Sequence, residues 1–73
     1  MPTQIVMDHS GDSRHAFDAA DTEAVARAER RFKELTGAGF LAAARIADGE
    51  SRRITQFDPT IEETLFFPRL VGG

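Results

Sequence analysis

A chain of 73 residues with 41 % hydrophobic and 29 % charged side chains reads as one small globular domain that must fold by packing, since zero cysteines exclude a disulfide framework. Nine basic against 12 acidic residues give a net charge of −3 with no lysine-rich run, which excludes the footprint of a nucleic-acid binder. No apolar segment approaches the roughly 20 residues that span a membrane, and the opening "MPTQIVMDHS" lacks the basic and apolar regions of a signal peptide, so a cytoplasmic monomer without membrane contact is expected.

The first element, "TQIVMD" from Thr3 to Asp8, is rich in β-formers and places Ile5 and Met7 on one face. "HSGDS" reads as a tight connection and "RHAF" as the returning strand, which makes an N-terminal hairpin. Asp18 and Asp21 offer capping oxygens to a helix over Thr22 to Leu35, whose apolar stripe is Val25, Ala28, Phe32 and Leu35. Thr36-Gly37-Ala38-Gly39 ends that helix through a left-handed glycine.

"FLAAARIA", Phe40 to Ala47, could be helical on its alanines. A strand is favoured because it follows a glycine stop, alternates Phe40, Ala42, Ala44 and Ile46, and runs into the hairpin signal Asp48-Gly49. "SRRITQF", Ser51 to Phe57, returns as a polar edge strand, and Asp58-Pro59-Thr60 breaks it. "EETLFF" supplies the last strand up to Phe67, with pairing expected to weaken at Pro68. The order is an α+β layer arrangement, a mixed sheet of four to five strands packed on one α-helix, and right-handed connections favour the last strand in the middle beside the first.

This layout, ending on Gly72-Gly73, resembles the β-grasp fold of ubiquitin and its bacterial relatives. In letters the likeness is concentrated in "QIVM", Gln4 to Met7, and in "ETLFFPRLVGG", where Thr64-Leu65 and the RLxGG ending match. The resemblance implies a ubiquitin-like β-grasp domain over residues 1–68 and a flexible diglycine tail over 69–73. It implies a protein modifier whose Gly73 carboxylate is activated by a partner adenylating enzyme, with a processing protease as a further partner. Such a protein is a substrate and carrier, not an enzyme: it has no catalytic residue and no cofactor, and the ATP is consumed by its partner. Gly72 and Gly73 let the backbone thread a narrow adenylating channel. Arg69 supplies a charged fork and Leu70 an apolar anchor for partner recognition. A polymeric chain could grow only through Lys33, the only lysine, or through the N-terminus, so single attachment or none is expected. The same activation could instead produce a sulfur carrier with a C-terminal thiocarboxylate, and the same fold could serve as an interaction module that is never activated.

Plainer readings stand beside these. The tail could be a frayed terminus. His9 and His15 flank the first turn without the further ligands a metal needs, and read as exposed turn residues. Glu62-Glu63 with Asp58 nearby read as a solvated turn, since no nucleophile or cleft accompanies them. Phe32, Phe40, Phe57, Phe66 and Phe67 read mostly as core, with Phe66 or Phe67 as the candidate for an aromatic left outside to mark a partner-binding patch.

Overall fold

The computed structural model describes residues 1–69 and shows one helix packed on a five-stranded mixed sheet, an α+β domain compatible with a β-grasp. The first hairpin is β1 (Thr3–Asp8) and β2 (Gly11–Ala16). Its turn is fixed by Asp8, whose Oδ1 accepts from the Ser10 hydroxyl at 2.5 Å and the Ser10 amide at 2.8 Å. These two bonds hold the Asp8 carboxyl below the usual carboxylate range.

The helix α1 spans Thr22–Gly37, and Asp21 is its cap: its Oδ1 accepts from the amides of Glu23 and Ala24 at 3.0 and 3.2 Å. Asp18 serves the loop ahead, accepting from the Ala20 amide at 2.9 Å. The helix runs past the expected end at Leu35. Gly37 remains helical, Ala38 is the C-cap, and the left-handed position falls on Gly39, with φ +100°. The Ala38 amide reaches Glu34 O and Leu35 O, and that of Gly39 reaches Thr36 O at 3.1 Å, so the last carbonyls are satisfied without glycine at position 37. The buried stripe is Ala24, Ala28 and Phe32, with Val25 and Leu35 half-buried at its margins.

Phe40 to Ala47 is a strand, β3, and with β4 (Glu50–Ile54) it forms the second hairpin around Asp48-Gly49. A register shift between Arg45 and Ala47 leaves Ile46 as an extra residue, 55 % exposed. The last strand, β5 (Glu63–Pro68), runs parallel to β1 and antiparallel to β3, giving the order β2-β1-β5-β3-β4. The last strand therefore sits in the middle beside the first, as the connection rules require.

The side facing α1 carries the core. Val6, Ala42 and Phe66 pack with Phe32, while Phe17 joins Ala24 and Ala28 in a second cluster. Phe57, from the β4–β5 connection, bridges the two, with ring centroids 6.0 Å from Phe32 and 6.2 Å from Phe17. Each buried phenylalanine withholds enough apolar surface to contribute about 2 to 3 kcal/mol.

Gln4 is also on this side, and only 1 % exposed. A buried amide is costly unless bonded at both ends. Its Nε2 donates to Ala28 O at 2.9 Å and its Oε1 accepts from Arg31 Nη1 at 3.0 Å, so strand and helix are tied by a polar contact inside the core.

Candidate partner-binding site at the end of the last strand

The strand that leads to the tail ends on a proline, yet its pairing with β3 persists through Phe40 and Pro68. The Arg69 amide donates to Gly39 O at 3.3 Å. Alternation along an antiparallel ladder then points the Pro68 nitrogen to the opposite side, toward β1. The β1 ladder has already stopped at Val6 and Phe66, so no hydrogen bond is lost there. The expected weakening at Pro68 is thus confined to the β1 side.

Arg69 is exposed at this strand end and, with Arg53, Gly39, Leu41 and Thr55, lines a shallow groove of about 200 Å³. Of the other residues expected at the site, Leu70, Gly72 and Gly73 lie outside the described residues. Lys33 is on the solvent side of α1, 3.9 Å from Glu29, with its amine end accessible.

The sheet face turned away from α1 leads to Arg69. The pairing register places Arg14, Ile5, Leu65, Ala43 and Arg53 in one row across five strands. Ile5, Ala43 and Leu65 are 3 %, 4 % and 9 % exposed, although no helix covers them. Met7, Leu41 and Phe67 extend the apolar surface toward the Arg69 end and are half-buried. At the opposite end Arg45 pairs with Glu63 at 3.3 Å. The centre is apolar and the border is rich in arginine, a combination suited to a protein partner with acidic and apolar groups.

Ile5 and Met7 do share a face, but it is this open one. Of the two aromatics named for a patch, Phe66 is wholly buried at 0 % exposed and Phe67 lies on the open face. Phe32 is core, and Phe40 and Phe57 pack at its edge.

His9 is exposed in the first turn, whereas His15 is half-buried in β2, on the side of the sheet that faces α1. The expectation of two exposed turn histidines is corrected by the pairing of His15 with Gln4. Burial first, and then the charge of Arg31, push the His15 imidazole below the ordinary histidine range. The three acidic side chains near the last turn are separated in use: Asp58 accepts from Thr60, Glu62 lies 3.5 Å from the Met1 amine, and Glu63 pairs with Arg45. Among the described residues no group of three or more His, Cys, Asp or Glu could hold a metal, and no helix is long and apolar enough to cross a membrane.

No family model matches the chain, and no curated protein and no solved structure matches it.

Proposed function

We propose that this chain is a ubiquitin-like protein of the β-grasp class, acting as a modifier whose C-terminal glycine carboxylate is activated by an adenylating enzyme. The observation that carries the reading is the position of β5. It is the central strand, running parallel to β1, and it delivers Arg69 exposed at the sheet end, with the Leu70-Val71-Gly72-Gly73 sequence following. Support also comes from the open sheet face, which offers an apolar strip continuous with Arg69 for an enzyme to grip while the tail is threaded. The chain itself contributes recognition and an acyl group; adenylation and transfer belong to the partner, which consumes ATP. Where the product is longer at its C-terminus, a processing protease would trim it to Gly73.

Incubation of the purified chain with ATP and the activating enzyme of its host, followed by intact mass spectrometry, tests this. An adduct joined through an isopeptide bond is the expected result, and a chain lacking Gly72 and Gly73 gives none. Exchange of one oxygen for sulfur would replace the modifier by a sulfur carrier using the same C-terminal chemistry. An unchanged mass would leave the open face as the functional element, in a β-grasp interaction module.

A further inference from the structure

Between β2 and α1 lies a groove of about 500 Å³ whose lining includes His15, Asp18, Asp21, Arg27 and Arg31. Arg14 lines it as well, so three guanidinium groups share the groove with two carboxylates. Arg27 and Arg31 are one helical turn apart, and neither has a carboxylate within ion-pair distance among the described residues. Glu23 and Glu34 flank them on the same helix without pairing with them, and Glu29 is turned to Lys33. Asp18 and Asp21 line the groove, but their Oδ1 atoms are occupied by loop and helix amides. In a chain of net charge −3 the groove therefore carries one guanidinium more than it has carboxylates, and neither Arg27 nor Arg31 is closed off in an ion pair.

One of them is also held in place. Gln4, fixed inside the core by its bond to Ala28 O, presents its oxygen to Arg31 Nη1. A guanidinium has five N–H donors, and this anchor uses one while restricting the side-chain freedom that a surface arginine would lose on binding. Facing it from β2 is His15, partner of Gln4 in the β1–β2 register, whose neutral ring still has one N–H to donate.

The geometry points to an oxyanion site in this groove, in which Arg31, Arg27 and the His15 imidazole bind a phosphate-type dianion, either free phosphate or the phosphoryl group of a monoester. Two guanidinium forks match the three oxygens of a group carrying about −1.5 to −2 at neutral pH better than they match a single carboxylate. The site is built from β1, β2 and α1 and is independent of the C-terminal residues, so its test does not depend on activation of the tail.

The full chain is titrated with inorganic phosphate, with phosphoserine and with glutamate, and side-chain resonances are followed by NMR. Saturable shifts of the His15 ring, the Arg27 and Arg31 Nε–H groups and the Gln4 amide are expected with both phosphate probes, and at least about tenfold weaker binding with glutamate. Stronger binding of phosphoserine than of phosphate identifies a monoester as the ligand class; equal binding identifies the free ion. Arg27→Gln weakens phosphate binding about tenfold without altering the fold, because that side chain is exposed. Gln4→Met, which keeps both arginines and removes the anchor, also weakens it, while Arg52→Gln on β4 does not. Shifts spread evenly over all arginines, equal response to glutamate, or indifference to Arg27→Gln would overturn the assignment.

Discussion

Leu65 and Phe66 are adjacent on β5 and both are buried, 9 % and 0 % exposed, but what covers them differs. Phe66 lies under α1, edge-on to Phe32 at a centroid distance of 5.6 Å. Leu65 lies on the face turned away from α1, between its sheet neighbours Ile5 and Ala43. The covered face is closed by the helix; on the other face Ile5, Ala43 and Leu65 are also buried, and the accessible apolar surface is the half-buried margin of Met7, Leu41 and Phe67.

The largest test of that contrast is truncation on each face. Phe66→Ala is expected to cost about 3 to 5 kcal/mol, enough to unfold most of a domain whose total stability is on the order of 4 to 11 kcal/mol. Leu65→Ala should cost about 2 kcal/mol, the lower end for a leucine whose surroundings can relax. Urea unfolding monitored by circular dichroism measures both, and equal losses would erase the distinction between the faces.

Next in size is the polar tie of the covered face. Gln4→Met preserves volume but leaves Arg31 without its acceptor, and a loss of about 1 to 2 kcal/mol is expected. A double-mutant cycle with Arg31→Met should return a positive coupling, because the two residues share one bond. Comparable in size is Gly39→Ala, at about 1 to 2 kcal/mol, since φ +100° is strained for any side chain while no neighbouring atom would obstruct the added methyl. That loss appears in the thermal midpoint and, being a backbone effect, is insensitive to salt.

The smallest effect is on pH. His15 has a lowered pKa in the folded state, so the unfolded chain takes up its proton first as the pH falls. The contribution of neutral His15 is complete above about pH 6.5 and is lost as the pH drops through that value toward the folded pKa. Thermal midpoints between neutral and mildly acidic pH should decline, and His15→Gln should flatten that part of the curve. Asp8 has a lowered pKa too, but its contribution is present above the ordinary carboxylate range and lost at more acid pH, so the two are separable.

The elements were legible because their signals are local. Asp21 caps the helix with its own carboxylate, Asp48-Gly49 turns the second hairpin, and strand propensity with connection handedness sets β5 beside β1. The choice of helix end between Gly37 and Gly39 was not, since either glycine can take a left-handed position and hydrogen bonding decided it. Nor was the allocation of faces. In "TQIVMD" the more apolar alternation is Ile5 and Met7, yet Gln4 and Val6 face the helix. What makes a glutamine acceptable there is a carbonyl and a guanidinium 24 and 27 residues away, which no pattern along β1 can announce. The proposed site divides in the same way: Arg69 could be named from its motif, whereas the open strip emerges only when five strands are put in register.

That register also governs how the domain meets mechanical load. The β1 and β5 strands lie side by side in parallel, from Thr3 opposite Glu63 to Val6 opposite Phe66. Tension applied between the two chain ends therefore pulls along the strands in opposite senses and loads their bonds together in shear, instead of opening them one after another as at the mouth of a hairpin. A pull on the C-terminal end would therefore have to break the β1–β5 ladder as a unit.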